Sequence, residues 1–117
     1  MLLEPAPDLL KRAEAVPIQR LPWPAFDERD IEVWIRRDDQ IDAWCSGNKF
    51  YKLYHNILAA KVQGAKGLAS YGGAWSNHLY ALAAAGKAQG LATLGLVRGE
   101  QNSAMLDDAE NMGMMLR

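Results

Sequence analysis

The stretch Gly67-Leu68-Ala69-Ser70-Tyr71-Gly72-Gly73-Ala74-Trp75-Ser76-Asn77-His78 decides the fold. It reads as a short buried strand over residues 67–71, a Gly-Gly turn, and a helix that Ser76 caps. That helix runs to about Gln89 with Leu79, Leu82, Ala83 and Gly86 inward, and Gly90 stops it. Residues 92–97 form another apolar strand, and residues 103–115 a closing helix carrying Met105, Leu106, Ala109 and Met112. Upstream, residues 49–63 place Leu53, Ile57 and Ala60 at helical spacing, joined by Leu58 and the Lys61 stem, and Gly64 ends the run. Strand, helix, strand, helix behind a leading helix is a βαβ unit, which builds a parallel sheet. A sheet of two parallel strands leaves its edges open, so it reads as an unfinished piece of a larger α/β protein.

The N-terminal half is less regular. Residues 5–15 suit a short helix with Leu9, Leu10 and Ala13 on one side, ended by Pro17. Pro22 and Pro24 make residues 21–25 extended and turn-like. Residues 31–37 alternate, with Ile31, Val33 and Ile35 on one face and Glu32, Trp34 and Arg36 on the other. That is a strand pattern, closed by Asp38 and Asp39.

Composition excludes several classes of function. With 117 residues, 50% hydrophobic and 23% charged, the chain has the size and balance of one packed domain. Its net charge of −1 and dispersed basic residues give no electrostatic reason for a nucleic-acid or anionic-membrane partner. The single cysteine, Cys45, rules out an internal disulfide and a multi-cysteine metal site, and His55 and His78 stand apart from other ligand types. Glu4, Asp8, Lys11, Arg12 and Glu14 interrupt any signal-peptide core, and no apolar run approaches membrane-spanning length. These features read as a cytoplasmic protein.

Two segments carry the candidate chemistry. In Ser46-Gly47-Asn48-Lys49-Phe50-Tyr51-Lys52-Leu53, a lysine opens a helix, Gly47 allows a tight turn and Asn48 is placed to cap. The positive end of a helix dipole disfavours an ammonium ion and favours the neutral amine that attacks an aldehyde. In the second segment, Gly72-Gly73 lets backbone approach a ligand, and the helix start offers N–H groups to an anion beside Ser76, Asn77 and His78. The carboxyl end of a strand in an open α/β sheet is where ligands usually sit. Taken singly, the lysine reads as a solvated residue after a turn and the other segment as an ordinary capped helix. Neither phosphate-binding fingerprint, G-x-G-x-x-G or G-x-x-x-x-G-K-S/T, is present.

Together the segments resemble the 1-aminocyclopropane-1-carboxylate deaminase/D-cysteine desulfhydrase family of fold-type-II pyridoxal-phosphate enzymes. The likeness rests on Gly47-Asn48-Lys49 at a helix start and on the strand–Gly-Gly-x-x-Ser-Asn-His–helix unit. It is extended by Arg36-Arg37-Asp38-Asp39 at a strand end and by the entry from Pro17 to Leu21, so it covers nearly the whole chain. The resemblance implies a three-layer open parallel sheet of the tryptophan-synthase-β type, incomplete in this chain. Residues 1–49 would belong to the large cofactor domain and residues 50–117 to the first part of the small one. It implies that Lys49 holds pyridoxal 5'-phosphate covalently and acts on protons, and that Asn77 hydrogen-bonds the cofactor's phenolic oxygen. Ser76 would be catalytic near the substrate carboxylate, with Asn77 and His78 also binding substrate. His78 resembles the desulfhydrase branch, whereas Ala74 and Trp75 replace the family's usual Ile-Gln.

The implied reaction turns a small amino acid, of the D-cysteine or 1-aminocyclopropane-1-carboxylate type, into a 2-oxo acid and ammonia. A homodimer is expected from the resemblance alone. Family members are longer, so the chain is expected to be an N-terminal fragment. The phosphate cup, the pyridine-nitrogen partner and the catalytic tyrosines would lie beyond Arg117, and the fragment would bind cofactor weakly without turnover. Three other readings stay open: a non-catalytic α/β anion-binding or interaction module, another fold-type-II lyase or synthase, and a decayed remnant. Cys45 reads as a structural thiol and the tryptophans as core or interface residues.

Overall fold

A computed structural model describes residues 7–117 of the chain. The first elements are α1 (Pro7–Ala15), β1 (Ile18–Arg20), α2 (Pro24–Asp27) and β2 (Trp34–Arg36), followed by a 3-10 turn over Asp38–Gln40. Then come α3 (Asn48–Val62), β3 (Gly67–Gly73), α4 (Asn77–Gln89), β4 (Ala92–Arg98), α5 (Ala104–Asn111) and β5 (Met114–Leu116). Pro5 and Ala6, where the first helix was expected to start, lie outside the described residues, as does the side chain of Leu9.

The C-terminal half is the expected parallel α/β unit with one strand more than the pattern suggested. Strands β3, β4 and β5 lie in that order, all parallel, with Ser70 opposite Gly95 and Thr93 opposite Met114. The expected closing helix over residues 103–115 ends at Asn111, because Gly113 turns at φ 99 and frees Met114 to pair with β4. Helices α4 and α5 pack on each other and α3 packs on α4. Leu53, Ile57, Leu79, Leu82, Leu106 and Met114 form the core beneath them. The helix-facing side of the sheet runs through Gly72, Thr93 and Gly95. A Cβ at Gly72 would strike Ser76 and Leu79, and one at Gly86 of α4 would meet Thr93 Cγ2 at 2.2 Å. On the other side Tyr71 and Met115 are 77% and 55% exposed.

The N-terminal half departs further from the pattern. Of the expected strand, Trp34–Arg36 pairs antiparallel to a strand at Ile18–Arg20 that the pattern did not show, and Leu21 N–H to the Val33 carbonyl and Arg37 N–H to the Pro17 carbonyl extend the ladder by a residue at each end. Ile31 and Ile35 stay 46% and 41% exposed, so the alternation buries no face among the described residues. Within the expected turn over residues 21–25, Pro24 begins α2, its fixed φ suiting a first helical turn. A second, smaller core gathers Ala13, Val16, Ile41 and Phe50, with Cys45 touching both cores. The radius of gyration is 17.1 Å, against roughly 13 Å for a compact domain of this length. No helix among the described residues is long and apolar enough to cross a membrane.

Candidate active site

Lys49 owes its place to a loop tied down at several points. Ile41 is buried in the smaller core. Asp42 Oδ1 accepts from the backbone N–H groups of Trp44 and Cys45 at 2.8 and 3.1 Å, and Gly47 N–H donates to the Asp38 carbonyl at 2.9 Å. Gly47, not Asn48, is the N-cap of α3; its φ of 60 and ψ of −142 suit a residue without Cβ. Asn48 is therefore the first helical residue, and no side chain caps this helix. Lys49 follows, half-buried in the first turn. Two residues along, Tyr51 donates from its hydroxyl to Asp38 Oδ1 at 3.2 Å, while Arg36 donates to Asp38 at 2.7 Å and to the Tyr51 oxygen at 3.1 Å. Arg36 also donates to the Ala13 carbonyl, so α1, β2 and α3 are joined at the lysine-bearing turn.

Helix α4 starts as the sequence indicated. Ser76 Oγ accepts from Leu79 N–H at 3.2 Å, which leaves the hydroxyl proton free to donate. Asn77 is the first helical residue and is exposed. His78 is half-buried, with Nε2 2.8 Å from Ser70 Oγ. Burial, then Lys52 and then Lys49, push the His78 imidazole below its ordinary value of 6.5, so the ring is uncharged at neutral pH. The charge of Lys49 is thus felt at the start of α4.

A ring contact brings the same two regions together. Trp44, in the loop before α3, lies 5.8 Å from Tyr80 of α4, centroid to centroid. The loop before α5 joins them, because Ser103 donates to the Ala74 carbonyl while accepting from Leu106 N–H. Three helix starts therefore share the carboxyl end of the sheet, two capped by serine and one carrying the lysine.

Sequence reasoning missed Lys52 and Ser70. Lys52 stands three residues after Lys49, the spacing that puts two side chains on one helix face. Ser70 precedes Gly72 by two, the spacing that puts both on one face of a strand.

Cys45, four residues before Lys49, is not activated. Burial, with a smaller push from Asp42, raises its thiol from 9.0 to about 11. Because the folded value lies above the unfolded one, the protonated thiol stabilises the fold below pH 9. That contribution is lost as pH rises toward about 11. Iodoacetamide alkylation at mildly alkaline pH is expected to be about a hundredfold slower in the folded chain than in urea, following the thiolate fraction. Equal rates would show that the thiol is open to solvent.

No protein-family model matches the chain. A curated protein of Pyrococcus abyssi (strain GE5 / Orsay) named "Putative 1-aminocyclopropane-1-carboxylate deaminase" is 34% identical over 85 residues, which is 73% of this chain and 26% of that protein. The solved structure described as "Crystal Structure Analysis of the ACC deaminase homologue" superposes with a TM-score of 0.75 at 27% identity. It covers 96% of this chain and 38% of its own. The chain thus spans about a quarter of the curated relative's length. In sequence and in its α/β fold, this chain is similar to part of the 1-aminocyclopropane-1-carboxylate deaminase-like proteins.

Proposed function

We propose that this chain supplies the cofactor lysine and the substrate-facing helix start of a pyridoxal-phosphate-dependent deaminase or desulfhydrase. The substrate would be a small amino acid of the D-cysteine or 1-aminocyclopropane-1-carboxylate type, converted to a 2-oxo acid and ammonia. The observation that carries the reading is the packing of the lysine-bearing region on α4, with α3 against α4 and Trp44 5.8 Å from Tyr80, which leaves the Lys49 charge close enough to help lower the His78 imidazole. The relatives' names supply the reaction class.

The residues present suit the cofactor. Lys49 offers a half-buried primary amine for its aldehyde, and Asn77 an exposed carboxamide for its phenolic oxygen. A Cβ at Gly73 would meet nothing within 4 Å, so the backbone there is open to close approach. When bound, pyridoxal phosphate delocalises the electron pair left at a substrate α-carbon. Lys49 would hold it and, once released, would move a proton at that carbon of a D-cysteine-type substrate, or at a ring carbon of a cyclopropane substrate, whose α-carbon carries no hydrogen. Ser76 has a hydroxyl proton to donate to a carboxylate, beside the unpaired N–H groups of the α4 first turn. His78 adds an uncharged imidazole.

In this proposal residues 1–49 belong to a large cofactor domain and residues 50–117 to a small one. The two cores support a division near that point, since Phe50 packs in the first and Leu53 in the second. A cytoplasmic homodimer completes the reading.

The test is to incubate the chain with pyridoxal phosphate, reduce with borohydride and map the modified lysines by peptide mass spectrometry. Lys49 is expected to be labelled well ahead of Lys61, Lys66 and Lys87, and Lys49→Ala to remove that product. Uniform labelling of all these lysines would sink the assignment.

A further inference from the structure

One contact joins the sheet to the start of α4 without belonging to the residues assigned above. Ser70 lies in β3, opposite Gly95 in the register, on the same face as Gly72, which is the face turned to α4. Its Oγ is 2.8 Å from His78 Nε2, and both residues are half-buried. We propose that Ser70 is the positioning residue of His78: its hydroxyl donates to Nε2, fixes the ring at the start of α4, and leaves Nδ1–H as the donor turned to the site. The proposal deepens the functional reading above, and what His78 meets in the site rests on that reading.

The direction of the hydrogen bond follows from the inventory of donors and acceptors. Burial, then Lys52 and Lys49 from α3, lower the imidazole from its ordinary value, which favours the neutral ring, in which one nitrogen carries a proton and the other is bare. The Ser70 hydroxyl has no other hydrogen-bond partner among the described residues. Were Nε2 protonated, it would donate to Oγ, and the half-buried hydroxyl proton would be left unpaired. Donation from Ser70 pairs the hydroxyl proton and the bare nitrogen at once and leaves only Nδ1–H to be met by water or a ligand, whereas the alternative leaves both the hydroxyl proton and a bare Nδ1 unmet. Nδ1 has no partner among the described residues, and as an N–H it adds a side-chain donor to the free backbone N–H groups of the α4 first turn. The strand thereby sets what the helix presents. A β-strand is a rigid support for such a contact, because Ser70 is held by the register to β4 on the neighbouring strand.

Free histidine side chains in water favour the Nε2–H tautomer, so the proposal makes a contrary statement that nitrogen-15 NMR of the folded chain reads directly. The wild-type chain at neutral pH is expected to show His78 mainly as Nδ1–H. Ser70→Ala is expected to invert the ratio to the usual Nε2–H majority, and Ser70→Thr, which keeps a hydroxyl, to restore Nδ1–H. A merely structural role for Ser70 would not invert a tautomer ratio. Nε2–H as the main form in the wild-type chain, or an unchanged ratio in Ser70→Ala, would overturn the proposal. The wild-type spectrum decides the bond's direction by itself, so a poorly folding variant does not shield the idea. Lysine labelling by pyridoxal phosphate is run alongside. Failure of Lys49 labelling with the expected tautomers removes the functional reading and keeps the role of Ser70, and the converse result removes only the role of Ser70.

Discussion

Leu79→Ala is expected to lower the stability of the chain by about 2–5 kcal/mol, the range for truncating a fully enclosed leucine. Leu79 is 0% exposed in the third position of α4, within the core shared with Leu53, Leu82, Leu106 and Met114. Its Cγ sits 2.7 Å from where a Cβ on Gly72 would be, and its Cδ1 3.5 Å from the same point on Gly95, so it packs on β3 and β4 together. Close packing on two strands and two helices leaves little room for collapse, so the cavity persists and the cost falls toward the upper end. Since small domains have only about 5–15 kcal/mol to lose, the variant's urea midpoint should drop far below that of the parent chain. The same residue's backbone N–H donates to Ser76 Oγ, so a loosened Leu79 also loosens the start of α4. A stability change under about 1 kcal/mol would mean that the site collapses freely around the missing atoms, against the close packing described.

What could be read from sequence was what local rules determine. The Ser76 cap, the stop at Gly90 and the inward set Leu79, Leu82, Ala83 and Gly86 all depend on neighbours within a turn or two, and the structure keeps them. The third parallel strand was hidden because Met112 to Met115 continue an apolar, helix-like composition. Only Gly113 at φ 99 and a distant partner in β4 make Met114–Leu116 a strand. Strand β1 was hidden for a related reason: Ile18-Gln19-Arg20 is short and mostly polar, and its partner is β2, well downstream. Propensity favours Asn48 as a cap, yet the loop fixed by Asp38 and Asp42 forces the cap position onto Gly47. The two helix starts that carry the candidate chemistry were each legible. Their approach to one another was not, because it depends on α3 packing on α4 and on Trp44 meeting Tyr80.

Gly72→Ala is the change expected to strike the fold and the candidate site together. Strand propensity alone would favour alanine over glycine at this position. The surroundings oppose it, because the new Cβ would lie 2.5 Å from Ser76 Oγ, and 2.7 Å from both Ser76 Cβ and Leu79 Cγ. The hydroxyl could turn away from the intruding methyl, at the cost of the cap, worth about 1 kcal/mol. Ser76 Cβ is held by the backbone and Leu79 by the core, so the start of α4 must also shift, and overpacking of this kind costs about 1–3 kcal/mol. The shift moves Asn77 and His78 relative to Lys49. Gly72→Ala is therefore expected both to lower the denaturation midpoint and to reduce borohydride-fixed labelling of Lys49 by pyridoxal phosphate, with exposed Lys61 and Lys87 labelled as before. Ser76→Gly in the same chain removes two of the three clashing atoms and should recover part of the stability. It would not recover labelling to the parent level if Ser76 contributes to the site as proposed. Full stability with full labelling in Gly72→Ala would show that the strand end yields freely, and the tight seat of α4 on β3 could then no longer be what holds the two helix starts together.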